Sequence, residues 1–299
     1  VTPMHRWRAE GRECLLQNIV FTEMPSTIPA EDGIPKLADG LSPLLSRLLD
    51  FSETVPCPLL GTRLSADGIC FASAARNFVS VSLAPPPCLD ADSIDEASAT
   101  MSNRCPMASA DAASVALASL AGELYFWYWL TRGDGFHVTS GNITDYLAAL
   151  GTLPQPVFVL LGRLGRLLDA RRNEALVFKK NAGKYVGNYN YRGLFHLTRR
   201  ADLVTLAGLG IERETALRLF DYVQRTLAVN VFAGEKAIPA AVKSRYPRLG
   251  MPPPEEPAVL RDADAFIRGH YGFTDEELDF IVNYDVAFRP NGDPVLTGD

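Results

Sequence analysis

Residues 125–129 read Tyr-Phe-Trp-Tyr-Trp, five aromatic side chains in a row at the end of an apolar run that begins near residue 112. On a helix each residue turns by about 100°, so five successive rings cover every side of the cylinder and the segment has to be enclosed. The preceding stretch favours a helix: alanines separate Val115, Leu117, Leu120 and Leu124, and Asp111 can cap the start. The spacing therefore predicts one mostly buried helix over residues 111–131, with the rings as core anchors. The run also contains Ser114, Ser119, Gly122 and Glu123, which suits a buried helix and not a bilayer span, so no membrane partner is expected.

Enclosing such a helix takes a large core, and 299 residues at 47% hydrophobic content can supply it as one large domain or two ordinary ones. Residues 1–108 read as strand-rich, with candidate strands at 17–24, 68–73 and 77–83 and a short helix from Leu41, Leu44, Leu45, Leu48 and Leu49. Residues 88–108, which follow a Pro-rich break, are expected to be a surface connection. Residues 109–250 form a helix-rich part, and 251–299 a Pro-rich linker with a helical tail. The predicted fold class is mixed α/β (α+β): a short-stranded sheet packed on the long buried helix, followed by a mainly helical C-terminal part.

Within the middle part, Phe136 to Thr139 fits a short strand in which His137 and Thr139 alternate with Phe136 and Val138, so that the latter pair faces inward. Asn142 or Thr144 can begin the next helix. Further helices are expected at about 157–173, 199–208 and 212–228, and residues 174–193 read as a hairpin turning at Asn181-Ala182-Gly183. Near the end, Thr274 and Glu277 have capping-box spacing, with Phe273 and Leu278 at the staple positions.

The chain is poor in catalytic signatures. Its five cysteines lie at least 13 residues apart and its four histidines form no metal-binding pair, so no metal site is expected and reduced thiols in a cytoplasmic setting are. No [N/D]-P-P-[Y/F] tetrapeptide, nucleophile elbow or paired-carboxylate nuclease motif occurs, and no catalytic residue is assigned. Gly208-Leu209-Gly210, flanked by helices, is a weak dinucleotide or S-adenosylmethionine signal; it can instead resemble a helix-hairpin-helix phosphate contact, or be an ordinary helix connection. Net charge is −6, yet residues 163–202 hold ten basic residues against the three acids Asp169, Glu174 and Asp202. That segment is either a footprint for a polyanion or a solvated helix face.

Three stretches, "ELYFWYWLTRGDGFHVTSGNITDYL", "YVGNYNYRGLFHLTRRADLVTL" and "YGFTDEELDFIVNYDVAFR", resemble in order the C-terminal half of type IIG-like restriction-modification enzymes and their N6-adenine DNA methyltransferases. "KLADGLSPLLSRLL" and "FASAARNFVSVSL" fit earlier elements of the family, and the likeness spans most of residues 36–289. It implies a target-recognition module for double-stranded DNA, itself without cofactor, whose partner is an N-terminal methyltransferase domain that supplies S-adenosylmethionine chemistry and in some members cleaves DNA. The start at Val1, without a secretion-signal layout, is what a piece of a longer chain would show.

Under that resemblance Lys179, Lys180, Lys184, Arg199 and Arg200 are expected on phosphates, and Asn188, Asn190 and Arg192, alternating along one strand face, on base edges. Where family members carry bulky aromatic and basic residues, this chain has Ala72, Ser73, Ala74 and Ala75, leaving Arg76 and Asn77 as polar candidates. His137 and Thr139 complete the set, His137 being either a DNA contact or a histidine bonded within the fold. The alternative to DNA recognition is a docking or oligomerisation platform in a phage-defence complex; a small-molecule enzyme built on Gly208 and Gly210 is the third reading.

Overall fold

The computed structural model describes residues 35–36, 40–49, 57–74, 78–97, 103–229, 239–249 and 251–287. The candidate strand at 17–24 and the candidates Arg76 and Asn77 lie outside them. The fold is mixed α/β, as predicted. Helix α1 (Ser42–Leu49) precedes β1 (Gly68–Phe71), β2 (Val81–Ser82), β3 (Cys88–Asp90) and β4 (Asn103–Pro106). Then come α2 (Ala110–Leu120), α3 (Glu123–Arg132), α4 (Ser140–Ala149), α5 (Gln155–Ala170), the hairpin strands β5 (Leu176–Asn181) and β6 (Lys184–Tyr189), and α6 (Phe195–Gly208). The chain continues through α7 (Arg213–Val229), α8 (Ala240–Ser244), α9 (Glu256–Tyr271) and α10 (Asp275–Ala287).

Two antiparallel sheets form, in the orders β2-β1-β4 and β3-β6-β5. Residues 88–108 are thus not a surface connection: β3 and β4 supply one strand to each sheet, with Cys88 and Cys105 buried. Their short apolar content gave no alternation to read, and pairing with distant strands decides their conformation. One continuous core takes in α1, the first sheet and most of the helices; a smaller one of Leu89, Phe178, Tyr185 and Val242 lies under one face of the second sheet.

The five rings are enclosed as their spacing requires, with Trp127 and Trp129 at 0% and 1% exposure. The single helix over 111–131 is corrected to two. Ser109, not Asp111, caps α2 by accepting the Ala112 N–H, and the chain breaks at Ala121-Gly122. The cause is tertiary. Asp202, on α6, reaches across to α3 and accepts the N–H groups of Glu123 (2.7 Å) and Leu124 (3.3 Å) on one carboxylate oxygen, capping α3 in place of a local side chain. A Cβ on Gly122 would collide with Asp202 Oδ1, so only glycine permits this approach.

Helix α6 is buried almost all round although its sequence, FHLTRRADLVTLAG, carries three charges. Arg199 and Arg200, expected on DNA, are only 2% and 8% exposed and point into the fold, which removes them from any DNA surface. Arg199 donates to Glu123 Oε1 (3.1 Å) and to the Ile281 carbonyl (2.7 Å); Arg200 forms a fork on Asp264, at 2.7 and 3.0 Å. The remaining helical arginines of the basic segment also find acids: Arg163 with Asp262, Arg166 with Asp111, Arg171 with Glu174 and Glu256, Arg172 with Asp169. Several partners come from outside residues 163–202, so the part of the charge excess that these arginines contribute is neutralised in space.

Two outcomes follow from this packing. Gly122→Ala should lower the unfolding free energy by about 1–3 kcal/mol through overpacking, whereas Gly141→Ala, with only Thr139 Oγ1 near its added methyl, should raise it by up to about 1 kcal/mol; urea titration measures both. His196 lies beside Arg171 Nη1 (3.1 Å) and Glu256 Oε1 (3.7 Å), and burial, then the Arg171 and Arg200 charges, push its pKa from 6.5 down to about 4. The folded state therefore favours the neutral ring, so its contribution is fully present above pH 6.5 and lost as pH falls through about 4. The loss should reach on the order of 3 kcal/mol. His196→Gln should flatten stability against pH over that window, read as the shift of unfolding midpoints.

Candidate nucleic-acid interface

The hairpin β5–β6 closes on Ala182 and Gly183, both at positive φ (46° and 74°), a two-residue turn whose twist suits antiparallel strands. Its register pairs Val177 with Asn188, Lys179 with Val186 and Asn181 with Lys184, which puts these six on one face. Phe178, Lys180 and Tyr185 stand on the other, and the Lys180 ammonium lies 5.7 Å from the Tyr185 ring centre. The three lysines thus divide two to one.

The first face, Lys184 apart, lines a cleft of about 370 Å³. Val177, Lys179, Lys180, Asn181, Val186 and Asn188, with Tyr189 and Asn190, form one wall, and Ala72–Ala74 with Phe78, Val79 and Ser80 form the other. Ser80 Oγ ties the walls by accepting the Tyr189 N–H at 3.2 Å, while the Gly187 N–H donates to the Pro87 carbonyl at 2.8 Å. Lys184, at the turn end, faces Asp90 across the β3–β6 pair; hydrogen bonds from the Ser93 and Asp92 N–H groups hold that carboxyl below its usual range, with Lys184 adding to the effect.

The expected alternation of Asn188, Asn190 and Arg192 along one strand is corrected. The strand ends at Tyr189. Asn190 instead caps a 3-10 turn, Tyr191–Leu194, its side chain accepting the Arg192 N–H at 3.2 Å. Asn188 and Asn190 still meet at the cleft, whereas Arg192 is carried away to lie over the Phe195 ring, 5.9 Å from its centre. The asparagine's capacity to bond its own backbone outweighed strand continuation.

The turn after α3 also departs from expectation. Residues 136–139 form no strand: His137 makes an isolated bridge with Ala74, and the Val138 N–H donates to the Ser73 carbonyl at 2.9 Å. Thr139 is consumed as the cap of α4, in a box with Asn142. His137 Nδ1 sits 2.6 Å from Asp134 Oδ2, and the His137 and Phe136 N–H groups bond Asp134 Oδ1, which together hold the Asp134 carboxyl down at about 2. Val138 is buried as alternation predicted, but Phe136 is 50% exposed because the Asp134 turn breaks the two-residue period.

Sequence reading missed Ser73, Ser80 and Asn181 as cleft residues. Nothing local marks them, since they meet the hairpin only in the folded chain. Gly208 and Gly210 close α6 with no strand before them, and Gly208 packs on Leu153 and Val157, an arrangement unsuited to a nucleotide cofactor. Among the described residues no group of His, Cys, Asp and Glu side chains could hold a metal ion, and no helix is long and apolar enough to cross a membrane. Comparison with protein-family models, with curated proteins and with solved structures finds no match to this chain.

Proposed function

We propose that this chain is a target-recognition module for duplex DNA, with the hairpin β5–β6 as its reading element. The observation that carries this is the cleft, where Lys179, Asn181 and Asn188 on a two-stranded ribbon meet Asn190 just beyond its end. A ribbon of that kind fits the major groove, about 12 Å wide, and asparagine is the side chain suited to a bidentate pair with adenine. Lys179 and Lys184 act as phosphate contacts that set register, and Asn188 and Asn190 read base edges. The helical arginines are internally paired, so attraction to the polyanion comes from the hairpin face. The likeness of three ordered segments to type IIG-like enzymes supports the same reading: chemistry on the adenine belongs to a separate methyltransferase domain that brings S-adenosylmethionine, and this chain positions it.

One observation favours the docking-platform alternative. A groove of about 340 Å³ between α2 and α5 is lined by Leu59, Val115, Phe158 and the half-exposed Val159.

Fluorescence anisotropy on mixed-sequence duplex DNA separates the two readings. Lys179→Ala with Lys184→Ala should weaken binding to all sequences and flatten the slope of log K against log salt by about 0.9 for each phosphate no longer neutralised. Lys180→Ala, at a lysine that lines the same cleft but holds its ammonium over the Tyr185 ring, should have a smaller effect on both. Asn188→Ala should leave the slope intact while costing about 1–3 kcal/mol at preferred sites selected from a random duplex pool. Binding that is indifferent to all four changes would refute the hairpin as a DNA surface and favour docking.

A further inference from the structure

The turn that links α3 to α4 is rigid well beyond what a surface connection needs. Trp129, buried, donates its indole N–H to the His137 carbonyl at 2.7 Å, and Lys36 Nζ reaches the Gly133 carbonyl at 2.9 Å. Asp134 Oδ1 gathers the Phe136 and His137 N–H groups at 2.7 and 2.6 Å. The Phe136 ring stands half-exposed on this frame, edge-on against the His137 imidazole with centroids 4.7 Å apart and planes at 84°. A lone exposed aromatic is ordinary on a protein surface. This one stands on a fixed frame: its neighbour His137 pairs as an isolated bridge with Ala74, and the Val138 N–H donates to the Ser73 carbonyl, two residues of the cleft wall that faces the lysine hairpin.

We propose that Phe136 is a stacking wedge: its ring packs on a base of the DNA bound at the hairpin and unstacks one step of the duplex. This rests on the DNA-recognition reading and adds a second contact beside the opposite wall. Apolar side chains inserted at a base step kink the duplex and bring more of it onto the protein. A pre-set turn keeps the ordering cost of such a contact low. Asp134 and His137 are positioning residues, the carboxylate fixing both the backbone of the turn and the imidazole on which the phenyl ring leans.

The test is equilibrium binding of the whole chain to two duplexes of the same sequence, one fully matched and one with a single central mismatch. A mismatched base is already partly unstacked, so a wedge binds that duplex more tightly. Wild-type chain should prefer the mismatched duplex. Phe136→Ala should lose roughly 5- to 150-fold in affinity, the range for one stacked base, and should lose the preference. Phe136→Trp should keep both, with its indole fluorescence quenched by DNA. Phe136→Leu should keep the unfolding midpoint of the wild type yet bind less tightly than Phe136→Trp, which separates stacking from bulk. If Phe136→Ala binds both duplexes as the wild type does while the Lys179/Lys184 double variant binds weakly, DNA recognition stands and the wedge is wrong. If wild-type chain binds neither duplex, or none of the variants alters binding, both readings fall together.

Discussion

The rest of this structure hangs on the carboxylate of Asp202. From the middle of α6 it caps α3, a helix that begins at Glu123 without a capping side chain of its own. Glu123, fully buried, is in turn held by Arg199 and by the Gln224 amide at 2.8 Å. Two carboxylates and one guanidinium thus share a site closed to water. Burial, reinforced by the Glu123 charge, pushes the Asp202 carboxyl well above the usual carboxylate range, against the pull of the two N–H groups and Arg199. Such a cluster is a weak source of net stability, but removing one member strands the others. Its consequence is geometric: it fixes where α3 starts, and therefore where its aromatic rings and the turn beyond them lie.

From α3 the positioning passes to the candidate site through a short chain of bonds. Trp129 anchors His137, His137 pairs with Ala74 through the Val138 N–H bond to the Ser73 carbonyl, and Ser73 and Ala74 face the hairpin across the cleft. Phe126 stacks on Phe78 at 4.8 Å between ring centroids, joining the same helix to the other end of that wall. The aromatic run is thus both core and scaffold. Its rings exclude water, and two of them also set the position of a polar surface far away in the chain.

Charge shows why position along a sequence misleads about surfaces. The arginines of residues 163–202 look like a basic patch in one dimension. In three, their acids arrive from α2, α3 and α9, and the α9 pairs tie that helix to α5, to Arg171 just after α5, and to α6. In the proposed reading, electrostatic attraction to a polyanion then belongs to the hairpin, where the register sends Lys179 and Lys184 to one face and Lys180 to the other. In the proposed reading this division matters, because only the face that carries Asn188 meets bases.

The sequence by itself determined the elements that rest on local physics. The aromatic run had to be buried, the leucine spacing made α1 and α5, and Asn181-Ala182-Gly183 turned the hairpin. Thr274 and Glu277 closed a capping box at 3.0 and 3.1 Å, because its two partners sit three residues apart. Tertiary structure alone decided what depends on partners far along the chain. It split residues 111–131 at Gly122 through an aspartate 80 residues away, recruited β3 and β4 from an irregular stretch, and drew Arg199 and Arg200 inside where Glu123 and Asp264 await them. The cleft belongs to this second class, since Ser73, Ser80 and Asn188 carry no mutual signature in sequence. Capping, turn and helix preferences act over a few residues, whereas the desolvation of a charge or the pairing of a short strand is settled only by what the folded chain brings beside it.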